Sequence, residues 1–251
     1  MGTQIVIVTG ASRGIGAATA RLLGREKANV IVNYRNARAE ADAVVRDIVA
    51  SGGQAHAVQG DVGNEDDVLR LFAETDRAFG ALTGLVNNAG ITGGVKRRIE
   101  AVTFANIMEV MRVNVAGQLL CAREAVKRMS TRHGGKGGSI VNVSSLGALT
   151  GSPHAFIDYA ASKGALDTMT IGLAAEVVDS GIRVNGVRPG LIDTEIHDGA
   201  GIPDRIKRFG PTMPIGRAGQ PEEVAEAIVW LLSDKASYVT GDFINVTGGA
   251  R

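Results

Sequence analysis

Gln4-Ile5-Val6-Ile7-Val8-Thr9-Gly10-Ala11-Ser12-Arg13-Gly14-Ile15-Gly16 decides the fold. The β-branched run at 4–8 reads as a buried strand, and the apolar periodicity at 14–26 reads as a helix. Between them, Gly10, Gly14 and Gly16 allow a sharp turn and a close approach of backbone to a ligand. Ser12, Arg13 and Ile15 then present N–H groups at a helix N-terminus, where a pyrophosphate is stabilised. A glycine turn alone is a weak signal, and a bare tight turn is its simplest alternative. The strand-turn-helix setting is what makes it a candidate dinucleotide site.

Outward from this turn, short apolar runs alternate with helical patterns. Strands are predicted at 4–8, 29–34, 54–59, 84–87, 139–143, 182–187 and 243–246, and helices at 14–26, 37–51, 65–79, 101–129, 159–179 and 221–232. Alternation of this kind builds βαβ units. The expected fold is α/β, a three-layer Rossmann-like, doubly wound arrangement on a seven-stranded parallel sheet. The strands are apolar at nearly every position, as strands covered on both faces should be. No linker or repeat divides the chain, so residues 1–251 are read as one domain. Segment 193–216 is interrupted by glycines and prolines after a late strand, which suggests a substrate lid or an irregular surface loop.

Composition narrows the function. Of 251 residues, 45% are hydrophobic and 21% charged, with 27 basic against 26 acidic. This is globular composition, and its net charge of +1 does not suit a protein that coats nucleic acid or an anionic membrane. A single cysteine, Cys121, excludes an internal disulfide, reads as a small buried hydrophobe and suits a reducing compartment. Four scattered histidines suggest no metal centre. The opening residues carry no basic leader, and no stretch approaches the roughly 18 apolar residues of a membrane span. The expected location is cytoplasmic.

The choice of dinucleotide rests on the end of the second strand, Asn33-Tyr34-Arg35-Asn36. An acid here would accept the adenosine 2′-hydroxyl, whereas a cation accommodates a 2′-phosphate. Arg35 and, from the turn, Arg13 therefore favour NADP(H), although Arg35 also reads as a cation that merely solvates a helix start. Asp61-Val62, after the third strand, is a candidate contact for the adenine edge.

Tyr159-Ala160-Ala161-Ser162-Lys163 is the most informative local pattern. Residues i and i+4 share a helix face, so the ammonium can lie near the phenol and lower its pKa. Tyr-x-x-x-Lys alone is common. Here the fifth strand also delivers Ser144-Ser145 to the carboxyl edge of the sheet, where open α/β folds bind ligands.

The motifs TGASRGIG at 9–16, NNAG at 87–90, VNV at 113–115, VSS at 143–145, YAASK at 159–163 and RPGLIDT at 188–194 stand in one order. Together they resemble the short-chain dehydrogenase/reductase family over essentially the full chain. The resemblance implies that Tyr159 exchanges a proton with a carbonyl or alcohol oxygen, and that Ser145 hydrogen-bonds that oxygen. It implies that Lys163 tunes Tyr159 and holds the nicotinamide ribose, while Asn114 fixes a water that links the lysine to solvent. It also assigns Asn88, Ala89 and Gly90 to the adenosine side of the cofactor, Pro189, Gly190, Ile192 and Thr194 to the nicotinamide, and a homotetramer to the assembly. Ser145 stands fourteen residues before Tyr159, slightly more than the family's usual spacing, which keeps Ser144 as an alternative.

His154 and Phe156 sit where the family's substrate pocket begins, and read equally well as a loop histidine and a packing ring. Lys127, Arg128, Arg132 and His133 gather near a helix end, where cations complement the dipole or attract an acidic carrier protein. Resemblance to 3-oxoacyl carrier-protein reductases keeps that partner open, but Asp179 stands where those enzymes tend to carry a basic residue. The segment around Tyr159 looks more like sugar or general alcohol dehydrogenases. A non-catalytic nicotinamide-binding regulator is the alternative of a different class.

Overall fold

The computed structural model describes residues 4–196, 201–202 and 204–251. Seven parallel strands form one sheet in the order β3-β2-β1-β4-β5-β6-β7. They are β1 (Ile5–Val8), β2 (Asn29–Tyr34), β3 (Gln54–Gln59), β4 (Gly84–Asn87), β5 (Gly138–Val143), β6 (Ile182–Pro189) and β7 (Phe243–Val246). The helices are α1 (Gly14–Arg25), α2 (Arg38–Ala50), α3 (Glu65–Phe79), α4 (Phe104–Met111), α5 (Gly117–Met129), α6 (Gly147–Thr150), α7 (Ile157–Val177), α8 (Arg205–Phe209) and α9 (Pro221–Leu232).

Period-2 alternation sends neighbouring strand residues to opposite layers. Val6, Val8, Val30 and Val32 pack under α1, α2 and α9, with Ala20, Leu23, Ile48 and Ile228. Ile7, Ile31, Leu85 and Ile140 pack under α3, α5 and α7, with Phe72, Met129 and Val177. Each fully buried aliphatic side chain contributes about 1.5–3 kcal/mol. Two such layers around a single sheet make the three-layer, doubly wound fold that the alternation predicts.

Capping chemistry marks the helix starts. Asn64 accepts from the Asp67 amide ahead of three acidic residues in α3, and Pro221 opens α9 behind a capping box of Gln220 and Glu223.

Three expectations need correction. Strand β3 is an edge strand whose side chains alternate between exposed and half-buried from Gln54 to Ala57, with Val58 buried and Gln59 exposed. The single helix expected at 101–129 is two helices joined by a π turn at Arg112–Ala116, preceded by a short 3-10 turn at Ile99–Ala101. Thr103 and Asn106 form a capping box that starts α4, so the α-helix begins at Phe104 rather than at residue 101. Helix α7 begins two residues earlier than expected, which sets Tyr159 inside its first turn. The lid reading of 193–216 falls partly on 197–200 and 203, which lie outside the described residues. Its described part is anchored by Asp193, whose amide donates to Gly219 O at 2.9 Å, and by Ile215, whose amide donates to Gly248 O at 3.1 Å.

The sheet order reverses between β1 and β4, so their carboxyl ends open a crevice at the switch point. Gly16 lets α1 approach this crevice. A Cβ there would lie 2.5 Å from Asn88 Nδ2 and 2.5 Å from Gly10 O. Gly16→Ala should therefore cost about 1–3 kcal/mol through overpacking. Thermal unfolding should show a midpoint lower by between a few and about 10 °C; an unchanged midpoint would refute the close-packing argument.

Candidate active site

Strand β5 ends at Val143, and the two serines that follow point in different directions. Ser144 Oγ donates to Asp167 Oδ1 at 2.5 Å and is buried. Asp167 also accepts from Arg188 Nε at 2.9 Å. Ser145 Oγ accepts from the Gly147 amide at 3.0 Å and lines the same cavity as Tyr159. Between the two candidates, it is Ser145 that faces Tyr159.

Tyr159 and Lys163 share the face of α7 that meets β5. Lys163 is 3% exposed, and its ammonium donates to the Val143 carbonyl at 2.7 Å. Burial pushes its pKa down to about 8 against the opposing charge of Asp167. Burial also raises the Tyr159 phenol above its ordinary value, and the Ser145 hydrogen bond and the Arg205 charge offset this only in part. Lys163 Nζ lies 5.7 Å from the Tyr159 ring centroid. The expected lowering of the phenol by Lys163 is thus not what this arrangement gives, because the ammonium is turned to a backbone carbonyl and desolvation dominates.

Asn114 sits inside the π turn, fully buried. Its Nδ2 donates to Ile91 O at 2.9 Å and Ser162 Oγ at 3.0 Å, and its Oδ1 accepts from the Ile91 amide at 2.9 Å. A Cβ on Gly90 would stand 3.4 Å from both Asn114 Oδ1 and Lys163 Nζ. Gly90 thereby keeps the space between these two polar groups clear.

Two adjoining cavities meet at the crevice. One, of about 440 Å³, is walled by the glycine turn from Gly10 through Ser12, Arg13, Gly14 and Ile15, by Arg35, by Asp61 and Val62, and by Asn88, Ala89 and Gly90. The other, of about 310 Å³, holds Ser145, Tyr159 and Lys163 with Pro189, Gly190 and Ile192. Ile15, Asn88, Gly90 and Thr194 belong to both walls, so the two are continuous.

This crevice fits a dinucleotide on its own chemistry. The first turn of α1 has no side-chain cap and no acidic residue, which leaves its N–H groups for an anion. Gly14 takes φ +55°, a left-handed conformation that suits glycine. Arg13 is exposed at the same mouth.

Several expected residues stand elsewhere. Tyr34 is 5% exposed and packs with the α1 and α2 layer, so Asn33, one residue earlier, faces the crevice instead. Gly16 is packed behind the turn. His154 is exposed, with φ 62°, and forms no part of the cavity wall, whereas Ser152 and Phe156 do. Arg35 is present but not free: its Nε lies 3.4 Å from Asp61 Oδ2. Asp61 is also bound by Arg112 at 3.0 Å, and Arg112 pairs with Glu109 at 2.8 Å. Burial raises the Asp61 carboxyl, but Arg112, the Gly63 amide and Arg35 together hold it below the usual value. An acid therefore does lie beside the second-strand end, already neutralised by two arginines.

The basic group at the end of α5 is likewise paired. Lys127 and Arg128 bind Glu124, Arg128 also binds Asp76, and Arg132 binds Asp179. Cys121 is fully buried, and its thiol is pushed up to about 12. Among the described residues no helix is long and apolar enough to cross a membrane, and no three His, Cys, Asp or Glu side chains are grouped to hold a metal.

Two features escape the sequence reading. Arg205, from α8, reaches the wall of the Tyr159 cavity. Arg97 and Asp158 form a buried ion pair that ties the loop after β4 to the start of α7, with Arg97 Nη1 also donating to Gly93 O at 3.0 Å. The adjacency of Asp158 to Tyr159 is the only sequence signal for it.

Known proteins share this architecture. The family profile described as enoyl-(acyl carrier protein) reductase matches residues 10–251. The uncharacterised oxidoreductase YgfF of Escherichia coli K12 is 52% identical over 98% of this chain and 99% of its own length. The 3β-hydroxysteroid dehydrogenase 1 of Eggerthella lenta is 40% identical over 98% of this chain and 93% of its own. A 3-oxoacyl-[acyl-carrier-protein] reductase of Synechocystis is 39% identical over 98% and 96%. The crystal structure of a dehydrogenase/reductase from Sinorhizobium meliloti superposes with a TM-score of 0.90 at 34% identity, covering 99% of this chain and 95% of that one.

Arg97 and Asp158 side chains are 9% and 4% exposed. Arg97→Met leaves a buried carboxylate unpaired and should cost about 3–5 kcal/mol, whereas Arg97→Met/Asp158→Leu should recover most of that loss. Denaturant unfolding of the single and double variants measures the difference, and additive losses would contradict the pairing.

Proposed function

The chain belongs to the short-chain dehydrogenase/reductase family, and we propose that within it the protein is an NADP(H)-dependent oxidoreductase that interconverts a carbonyl and a secondary alcohol. The observation that carries this reading is that Ser145, Tyr159 and Lys163 line one cavity, continuous with the glycine crevice.

Bound NADP(H) supplies or accepts the hydride. The Gly147 amide orients Ser145 Oγ beside Tyr159, from where the Ser145 hydroxyl would turn to a carbonyl oxygen as negative charge develops. Tyr159 gives that oxygen its proton in reduction and removes it in oxidation. Lys163, anchored on Val143 and 5.7 Å from the Tyr159 ring centroid, would hold the ribose hydroxyls. Asn114 orders a water in the space that Gly90 keeps clear, linking Lys163 to solvent for proton replacement. The first-turn amides of α1 would hold the pyrophosphate, and Arg13 would lie against the adenosine 2′-phosphate. Arg35 would hold the 2′-phosphate, Arg112 would keep Asp61 paired, and Val62 would meet the adenine. Pro189, Gly190, Ile192 and Thr194 position the nicotinamide.

The family's tetrameric assembly accords with the exposed apolar side chains Leu119 on α5 and Ile171 on α7, together with Gly164 and Gly172, whose missing Cβ atoms would meet nothing within the chain. The buried lone cysteine accords with a cytoplasmic setting. A second reading, a 3-oxoacyl carrier-protein reductase, draws on the Synechocystis relative. The pairing of Lys127, Arg128 and Arg132 with acids weighs against it, since these cations are not free to receive an acidic carrier.

Fluorescence titration should show NADPH binding at least about tenfold more tightly than NADH, and Arg35→Ala should remove most of that preference. Tyr159→Phe should keep cofactor affinity and lose about 10²–10⁴-fold in turnover on a carbonyl panel. Equal affinity for the two cofactors would overturn the NADP(H) reading, and unchanged turnover in Tyr159→Phe would overturn the mechanism.

A further inference from the structure

Charge is unbalanced in the cavity that Ser145 and Tyr159 share. Its described walls carry two cations, Lys163 and Arg205, and no carboxylate. Lys163 donates to the Val143 carbonyl, and on the proposed function its remaining donors serve the cofactor ribose. The Arg205 guanidinium has no hydrogen bond or ion pair with any described residue. It lies 6.0 Å from the Phe156 ring centroid, within cation–π range, and near enough to Tyr159 for the two charges to interact.

A guanidinium that lines a cavity and meets no counter-ion among the described residues gains most from an anionic ligand. Its planar donor fork matches the paired oxygens of a carboxylate or phosphate. The rest of the described wall mixes apolar side chains, Leu191 and Met213 among them, with neutral hydroxyls such as Thr92, Thr150 and Ser152, so Lys163 and Arg205 are its charged groups. Outside, α8 also carries Lys207 and Arg208, both exposed, while the exposed acids Asp193 and Glu195 flank the wall residue Thr194, so the selectivity is assigned to Arg205 itself.

Building on the oxidoreductase reading, we propose that Arg205 binds an oxyanion of the substrate, so that the protein acts on small oxo acids, hydroxy acids or their phosphate counterparts rather than on neutral ketones, sugars or steroids. Ser145 and Tyr159 hold the oxygen that is reduced or oxidised, and Arg205 holds the anionic end. Two fixed points orient the reacting carbon. The cavity of about 310 Å³ must also take the nicotinamide side of the cofactor, which limits the substrate to a few carbons.

The test is NADPH-dependent turnover of 2-, 3- and 4-oxo carboxylates of four to six carbons, each beside its methyl ester, and of dihydroxyacetone phosphate beside dihydroxyacetone. The best anionic member should exceed its neutral partner in kcat/KM by at least about tenfold. Arg205→Met should lower kcat/KM for that anion about tenfold more than for its partner, chiefly through KM, and Arg205→Lys should keep part of the preference. Whether carboxylate or phosphate leads identifies the anion. Neutral partners turned over as well as the anions would overturn the proposal. So would equal losses on both members in Arg205→Met with a displaced pH profile, which would make Arg205 a positioning residue for Tyr159. Quenching of bound NADPH fluorescence by the same anions gives a second readout. Arg205-dependent binding without turnover would sustain the anion site and refute the oxidoreductase reading; turnover without anion preference would do the reverse, and no Arg205-dependent binding of any anion would overturn the site.

Discussion

One buried ammonium organises the centre of this molecule. Lys163 projects from α7 into the end of β5, where the Val143 carbonyl is its hydrogen-bond partner. Desolvating a cation is unfavourable, and here the opposition is visible in a pKa lowered to about 8. The surrounding groups offset it: the Val143 carbonyl accepts from the ammonium, and Asp167 lies close enough to favour its charge. Because both supports are rigid, the register of α7 on the sheet is fixed, and with it the place of Tyr159 one helical turn earlier.

The same constraint explains features that look unrelated. Asp167 is itself held by Ser144 and Arg188, so the first serine after β5 serves the lysine's acid while the second is left for Tyr159. Arg188 in turn stacks 3.8 Å from the Phe243 ring, tying β6 to β7 behind the site. On the other flank, Asn114 reaches both the loop after β4 and Ser162 on α7. A regular helix would carry Asn114 to a different angle, and the π turn supplies the extra residue that turns it inward. The Arg97–Asp158 pair closes the remaining side.

Much of this was legible in the sequence. Strands β2, β3, β4 and β7 and helices α3 and α9 fall where the patterns place them, because glycine, asparagine and proline signals stand at their ends. The glycine turn, the two serines, Tyr159 and Lys163 could be placed because they sit at strand ends or one helical turn apart. What stayed hidden depends on tertiary contact. The π turn answers a demand from Ile91 and Ser162. Arg97 and Asp158 are 61 residues apart, and either alone reads as an ordinary surface charge. Arg35 reads as free because Asp61 and Arg112 approach it only in the folded chain. Tyr34 and His154 were misplaced by a single step of side-chain direction and by a left-handed loop residue. Arg205 lies in a glycine- and proline-rich segment without periodicity, where sequence gives no direction to a side chain.

The claim that the site rests on a desolvated lysine is open to direct observation. Carbon-13 labelling at lysine Cε, with the Lys163 resonance assigned by its loss in Lys163→Met, allows its titration to be followed by NMR in the cofactor-free protein. The account predicts a midpoint of about 8. A midpoint near the ordinary lysine value of about 10.4 would contradict it.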